Sequence, residues 1–368
     1  MPSSKVILVI PHVGLGGGAG IYNCDLISAL NKKGSVFVSG EFSLEYVDLS
    51  EGVFNETLTT KIIFPNYDGV SIVGKIYWLF FSIFSGIFLF IKKTNTVKSL
   101  INVDVIFFTS SIQIPHAYFL RKLGFQGKII CVVQENLKLE GFFGFLVRCW
   151  IESVDSVIGI TNDWCAYANA MSIKTDILSN KFRTKTPDVN ENPEFDAIYV
   201  GGESKLKGID FVLKLFEELS LSRTIKIILL GVYSDSFLNK IIHINEKSVK
   251  TGSQIVVGGY VTDIQPHLAN SKVLLMPISA PHFCRPAIEA GFSNRTFIIP
   301  DYKELKEFVL PSYNCLTYEI GSFKDFRDVF IYLLESPELK TNLEDNNVFF
   351  AYENYSDNEY CSNLNKIY

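Results

Sequence analysis

The sequence predicts an α/β protein of two Rossmann-like, doubly wound domains that face a central cleft. Three observations lead to this prediction. The chain has 368 residues, a length that suits two domains better than one. Apolar runs typical of buried parallel strands alternate with helical segments in both halves of the chain. In each half, one such run is followed by a glycine-containing loop and a helix, the opening unit of a doubly wound sheet.

The first half of the chain begins with this unit. A strand, KVILVI, precedes the glycine loop at residues 14–20 and a helix over residues 19–30. The strands predicted in this half share a continuous apolar composition and lie at residues 5–10, 36–38, 104–108, 129–133 and 156–160. A polar stretch with two prolines, residues 184–193, is the predicted linker, so residues 1–185 form the predicted N-terminal domain.

The second half repeats the pattern. Gly201 and Gly202 follow its first strand, and a helix with one apolar face begins at Ile209. The strands predicted here lie at residues 197–200, 226–230, 255–257, 273–276 and 297–299. Helical segments are expected from Lys324 onward. We therefore assign residues 194–345 to a C-terminal domain and residues 346–368 to a closing helix.

The composition argues against several classes of function. A net charge of -5, without a basic helix, argues against a nucleic-acid partner. The seven cysteines show no metal-binding spacing and indicate reduced thiols in a cytoplasmic protein, and the N-terminus has no signal-peptide pattern. Because the chain also lacks a D-x-D pair of carboxylates, we expect neither a metal nor a cofactor.

One apolar segment raises the question of membrane contact. Residues 76–91 read IYWLFFSIFSGIFLFI between lysines, and 16 residues are fewer than the roughly 20 that a spanning helix needs. A buried domain helix, a helix lying on the membrane surface and a true span are the three interpretations. The excess of aromatic residues weakly favours peripheral attachment.

The candidate site is predicted from three segments. Parallel sheets of this kind bind ligands beyond the carboxyl ends of their strands, where the glycine turns lie. The first is the loop GLGGGAG, with Gly16 and Gly17, whose small residues let backbone amides approach a phosphate. A nicotinamide-binding turn, with Glu41 as its acidic partner, and a plain tight turn are the alternatives. The second is GGESKLKG, where Lys205 or Lys207 is placed to contact a phosphate.

The third segment, HFCRPAIEAG, is the most informative. Pro286 suits the start of a helix, so the amides around Cys284 and Arg285 would point toward the ligand. Arg285 offers a cationic fork for phosphate. Glu289, one turn later, is an acceptor suited to a vicinal diol such as ribose, or else an ordinary exposed carboxylate.

These motifs resemble the retaining glycosyltransferases of the GT-B fold, family 4, also called glycosyltransferases group 1. The resembling segments span nearly the whole chain and read GGGAGIYNCDLISALNKKG, DVIFF, YVGGESKLKGIDFVLKLFEEL, GYVTDIQPHLANSKVLLMPISAPHFCRPAIEAGFSNRTFIIPDYKELKEFV and AYENYSDNEYCSNLNKIY. The last is similar to the closing helix that returns to the N-terminal domain. The resemblance implies that Glu289 holds the donor ribose, that Lys207 contacts the diphosphate, and that Gly16 and Gly17 lie near the phosphates and acceptor.

The chain also departs from the pattern of this family. Pro281 stands where the first glutamate of the pair is expected, Gly202 where an arginine is usual, and Thr109 where a histidine follows the DVI strand. Lys205 or Arg285 can supply the missing positive charge. Thr109, the nearby His116 and His282 are the candidate catalytic residues.

The resemblance implies a hexosyltransferase that moves a sugar from a nucleotide diphosphate sugar to a saccharide acceptor. The acceptor is expected to be lipid-linked, at the inner face of a bacterial membrane, in the synthesis of lipopolysaccharide or capsule. Two alternatives stay open. The departures suit a catalytically degenerate subunit that binds a nucleotide sugar or a partner enzyme, and a nucleotide-sugar epimerase would share the fold. A dehydrogenase is disfavoured, because the second half repeats phosphate-type turns without a hydride site.

Overall fold

The computed structural model describes residues 5–10, 17–38, 103–134, 145, 148–182 and 191–367. The chain divides into two compact units, which we call unit 1 (Met1–Lys181 with Tyr360–Tyr368) and unit 2 (Phe182–Glu359). Within these described residues, each unit contains a six-stranded sheet in which neighbouring strands pair in parallel. Two parallel-sheet, Rossmann-like domains were predicted, and the structure confirms them.

Unit 1 has the strand order β2-β1-β3-β4-β5-β6. Its described elements are β1 Lys5–Ile10, α1 Gly17–Asn31, β2 Gly34–Val38, β3 Val105–Phe108, α2 Ile114–Lys122, β4 Lys128–Val133, β5 Ser156–Gly159, α3 Asn162–Ala170 and β6 Lys174–Ile177. Every residue of the central strands β3 and β5 is buried, which explains their continuous apolar runs.

Unit 2 has the strand order β12-β11-β10-β7-β8-β9. Its elements are β7 Ala197–Val200, α4 Ile209–Leu219, β8 Lys226–Leu230, α5 Asp235–Ser248, β9 Gln254–Gly259, α6 Gln265–Ala269, β10 Leu274–Leu275, α7 Arg285–Phe292, β11 Phe297–Pro300, β12 Cys315–Tyr318, α8 Phe323–Leu334 and α9 Pro337–Tyr355. Adjacent residues of β7 point to opposite faces of the sheet and belong to two hydrophobic clusters. Ile198 packs in the cluster that contains residues of α7, and Tyr199 packs in the cluster that contains residues of α4.

The last helix, α10 (Asp357–Ile367), begins in unit 2 and then joins unit 1. Its buried residues are Tyr360, Leu364 and Ile367. The ammonium group of Lys128, at the start of β4, donates to the carbonyl of Ile367 at 3.0 Å. The end of the chain thus packs on the first sheet.

The sequence missed two strands, β6 and β12, which form one edge of each sheet. Each has only four residues and is incompletely buried, so neither shows a long apolar run. Helix α1 begins at Gly17, two residues earlier than predicted, inside the glycine run. The segment 76–91, the loop before Gly17 and residues 183–190 of the predicted linker lie outside the described residues.

In the part of the chain that the structure describes, no helix combines the length and the apolar character needed to cross a bilayer. The predicted peripheral attachment through residues 76–91 stays a prediction.

Candidate functional site

The candidate site of unit 2 begins with two loops in backbone contact at the carboxyl edge of its sheet. The amides of Gly201 and Gly202 both donate to the carbonyl of Leu230, at 3.0 and 3.2 Å. Gly231 has a φ of 138°, and a Cβ there would lie 2.3 Å from the nitrogen of Gly202. Only glycine permits this approach, so the loops after β7 and β8 form one surface.

The lysine segment lies directly beside this surface. Residues Lys205–Lys207 form a 3₁₀ turn that ends at Gly208, whose φ of 79° lets the chain turn into α4. A Cβ on Gly201 would lie 2.8 Å from Cδ of Lys207, so the stem of this lysine crosses the glycine turn. Lys207 therefore belongs to the same surface as the first loop of unit 2.

A third loop, after β10, is joined to the lysine segment. The amide of Ser279 donates to the carbonyl of Leu206 at 2.9 Å. Gly208 lies so close to the same loop that an added Cβ would be 1.8 Å from the carbonyl oxygen of Pro277. The backbone thus fixes the lysine segment against the loop that leads into α7.

Helix α7 begins at this loop, with Cys284 as its N-cap and proline in its first turn. Burial raises the pKa of the Cys284 thiol to about 12, although the charge of Lys207 lowers it. The thiol donates to the carbonyl of His282 at 3.2 Å, so Cys284 contributes backbone rather than a reactive sulfur. A helix N-terminus with a lysine nearby is a site for an anionic group.

His282 lies between the loop and the helix. Burial lowers the pKa of its imidazole, and the charge of Lys207 lowers it further. A hydrogen bond with the carbonyl of Ala280 raises this pKa but does not offset the decrease. The Nδ1–carbonyl distance is 3.0 Å, which assigns the proton to Nδ1. His282 is therefore a neutral imidazole whose Nε2 is an acceptor.

Glu289 is paired with Arg285 inside helix α7. The Nε of Arg285 donates to Oε1 of Glu289 at 2.9 Å, and the two side chains are 19% and 15% exposed. The guanidinium carbon lies 5.0 Å from the ring centroid of Phe182. The arginine is thus held between a ring and a carboxylate, which limits its freedom to serve as a phosphate fork.

The candidates in unit 1 lie at or near the ends of its strands. Gly16 is outside the described residues, and Gly17 is the first residue of α1. Thr109 is fully buried, and its amide donates to Oε1 of Gln113 at 2.9 Å. His116 is 1% exposed, and burial lowers the pKa of its imidazole to about 4. Both side chains are buried in unit 1, and their catalytic roles stay predictions.

Sequence reasoning missed a polar pair at the carboxyl edge of the first sheet. Gln134 directly follows β4, and its Nε2 donates to Oδ1 of Asn23 in α1 at 2.7 Å. The signal for Gln134 was a polar residue immediately after the apolar run IICVV. Nothing local marked Asn23, because it lies in the middle of a helix.

The other predicted features concern thiols and metals. All seven cysteines are thiols in the structure. Within the ranges that the structure describes, no three His, Cys, Asp or Glu side chains come together as metal ligands.

Comparisons with known proteins agree on the family of unit 2 and on the fold of the chain. Residues 181–348 match the family model of glycosyl transferases group 1. HepE from Anabaena, solved in complex with UDP, is 14% identical with a TM-score of 0.73, and the match covers 99% of each chain. A search of curated proteins by sequence found no match.

Two further solved structures are similar over almost their whole length. Sucrose-phosphate synthase from Thermosynechococcus elongatus is 14% identical, with a TM-score of 0.73 over 99% of this chain and 98% of that one. The lipopolysaccharide outer core galactosyltransferase WaaB is 16% identical, with a TM-score of 0.65 over 98% of both chains. The chain therefore has the GT-B fold, and its residues 181–348 form a glycosyl transferases group 1 domain.

Proposed function

We propose that the chain transfers a sugar from a uridine diphosphate sugar to a lipid-linked saccharide, with retention at the anomeric carbon, as in family 4. The observation that carries the donor half is the contact of Gly208 with Pro277, which places Lys207 beside the loop that leads into α7, the helix of Glu289. A cation and helix amides suit a diphosphate, and a carboxylate suits ribose hydroxyls. Structures of HepE with UDP and with UDP-glucose support uridine as the base.

The proposed acceptor half rests on other observations. The apolar segment 76–91 with its lysine flanks supports peripheral attachment at the inner face of a membrane, from the cytoplasm. The likeness to a lipopolysaccharide galactosyltransferase supports a role in surface polysaccharide synthesis. A lipid-linked acceptor would then present its sugar next to the bound donor.

In the proposed reaction, the bond between the anomeric carbon and the diphosphate oxygen breaks. The acceptor oxygen forms the new bond to that carbon, and its proton moves to the departing diphosphate. The ammonium of Lys207 and the first amides of α7 stabilise the negative charge that develops on the leaving group. The leaving oxygen acts as the base, which agrees with the burial of Thr109 and His116.

A subunit that binds a nucleotide sugar without turning it over is the second candidate. Pro281 in place of a glutamate, together with the buried His116, favours it. Donor hydrolysis or transfer by the purified chain would exclude this candidate. The epimerase alternative is tested by identifying the sugar in the product formed without an acceptor.

The proposed function is tested first by a thermal-shift screen of UDP-, GDP- and CMP-sugars. A ligand that binds only the folded chain raises its melting temperature, by mass action. We expect UDP-sugars to stabilise the chain and turnover to persist in EDTA. Stabilisation by a GDP- or CMP-sugar alone would contradict the uridine assignment, and turnover that EDTA abolishes and magnesium restores would contradict the cationic stabilisation by lysine.

Lys207→Ala should weaken the binding of UDP and of the UDP-sugar about tenfold or more, since a charge-assisted contact is lost. Uridine, which has no phosphate, should bind the variant and the parent equally. Titration calorimetry measures the three affinities, and Lys240→Ala, an exposed lysine of α5, is the control. Equal UDP affinity for parent and Lys207→Ala would remove this lysine from the phosphate site.

Glu289→Ala should lower the affinity for UDP about tenfold or more, because buried ligand hydroxyls lose their acceptor. The variant also frees Arg285, so UDP and 2′,3′-dideoxy-UDP are compared on both proteins. The parent should prefer UDP, and the variant should bind the two alike. A preference of the same size in Glu289→Ala would mean that another group holds the ribose.

A further inference from the structure

The amide pair of Asn23 and Gln134 has unused hydrogen-bonding capacity inside unit 1. Asn23 is fully buried. One bond joins the pair, from Nε2 of Gln134 to Oδ1 of Asn23 at 2.7 Å. Nδ2 of Asn23 and Oε1 of Gln134 are buried, and neither has a hydrogen-bond partner among the residues that the structure describes. A buried donor and a buried acceptor are therefore left side by side.

This result does not depend on how the amide atoms are assigned. A single bond between two carboxamides always leaves one NH₂ group and one carbonyl oxygen, whichever way both are turned. An unsatisfied buried polar group is costly, and native proteins contain few of them. A pair of them at one place suits a bound group, a ligand hydroxyl or a water, that both donates and accepts a hydrogen bond.

The position of the pair is where a parallel sheet binds ligands. Gln134 directly follows β4, and Asn23 lies in α1, the helix that follows β1. The next strand, β3, ends beside β4 in the polar residues Thr109 and Ser110. Gln134 is only half-buried, so the pair lies at the edge of unit 1.

The chemistry of the pair selects the ligand. A hydroxyl group accepts one hydrogen bond and donates another, so it satisfies the NH₂ group and the carbonyl oxygen together. A phosphate or carboxylate could use only the NH₂ group, and an ammonium only the carbonyl. We propose that Asn23 and Gln134 bind a hydroxyl group of the saccharide acceptor. The proposal rests on the proposed function for the molecule that carries this hydroxyl.

The first test compares two glutamine-to-methionine changes within unit 1. Gln113 is a satisfied buried amide whose Oε1 accepts from the amides of Thr109 and Ser110, at 2.9 and 3.1 Å. Gln113→Met should lower the melting temperature by about 3–8 °C. The double variant Asn23→Leu/Gln134→Met removes both partners with little change in shape, so it should melt at the parent temperature or above it.

The second test measures ligand binding by saturation-transfer NMR. The probes are the methyl glycosides of glucose, galactose and N-acetylglucosamine, and UDP is the donor control. We expect at least one glycoside to bind the parent and to lose its signal in the double variant, while UDP binds both proteins equally.

Three results would overturn the proposal: a fall in melting temperature like that of Gln113→Met, an unchanged glycoside signal in the double variant, or no glycoside binding to the parent. A parent that binds the glycosides through this pair but binds no nucleotide would contradict the proposed function and leave the hydroxyl site intact.

Discussion

Gly208→Ala should lower the melting temperature of unit 2 by about 10–20 °C. The φ of 79° disfavours any residue with a Cβ, and this Cβ would lie 1.8 Å from the carbonyl oxygen of Pro277. Because both sides of the overlap are backbone, no side-chain rotation relieves it. The loops must separate, which strains the bond from Ser279 to Leu206. We estimate a total cost of about 4–6 kcal/mol.

Gly321→Ala is the matched control, because it isolates backbone strain from the clash. Gly321 has almost the same φ, 77°, and nothing lies within 4 Å of an added Cβ. Its cost should be only about 1–2 kcal/mol, or a shift of roughly 2–8 °C. Calorimetric scans of both variants measure the difference. If the two variants melt together, the contact between the lysine segment and the Pro277 loop is not tight.

Gly208→Ala also tests how the proposed donor site is assembled. Lys207 precedes Gly208, and α7 follows the Pro277 loop. Separating the two loops would move the lysine away from the helix N-terminus. UDP affinity of Gly208→Ala, measured well below its melting temperature, should therefore fall about tenfold or more, as for Lys207→Ala.

Arg295→Met should have the next largest effect on stability, about 3–5 kcal/mol or roughly 6–20 °C in melting temperature. The guanidinium is buried and donates to the carbonyls of Ala269, Ser271 and Asn294. Burial raises the pKa of Glu344, whose carboxylate lies 4.0 Å from the guanidinium. Methionine fills much of the space but leaves the carbonyls unpaired and reduces the charge compensation around the carboxylate.

Arg327→Met is the control for this prediction. Arg327 lies in α8 and forms ion pairs with Glu218 and Asp328. Its side chain is 32% exposed. Surface ion pairs contribute little, so the melting temperature should stay near that of the parent. Thermal unfolding measures the melting temperatures of Arg295→Met, Arg327→Met and the parent. A similar decrease in both variants would show that the burial of Arg295 is not the cause of its effect on stability.

Arg295→Met should also affect the proposed donor site through helix α7. It follows α7, which carries Arg285 and Glu289, and its backbone carbonyl accepts from Nδ2 of Asn347 in α9. The substitution keeps this carbonyl but removes the side-chain bonds of Arg295 to the carbonyls of neighbouring segments, which loosens the C-terminal end of α7. This is a structural role, so uridine and UDP should lose affinity in the same proportion.

Most strands of both sheets were predictable because their signal is local. The runs KVILVI, KIILL and AIYV agree with β1, β8 and β7, since strands covered on both faces are apolar throughout. The lysine segment and the start of α7 were also predictable, because glycine and proline mark turns and helix ends wherever they occur.

The sequence by itself thus determined the two α/β domains, the order of most strands along the chain and the candidate residues of the proposed donor site. Tertiary structure decided which of these side chains meet. Pro277 lies against Gly208, Gln134 bonds Asn23 across 111 positions, and His116 is buried although histidine suggested catalysis. Propensity and periodicity act over a few residues, whereas burial and pairing depend on the register of parallel strands and on helices that pack from distant parts of the chain.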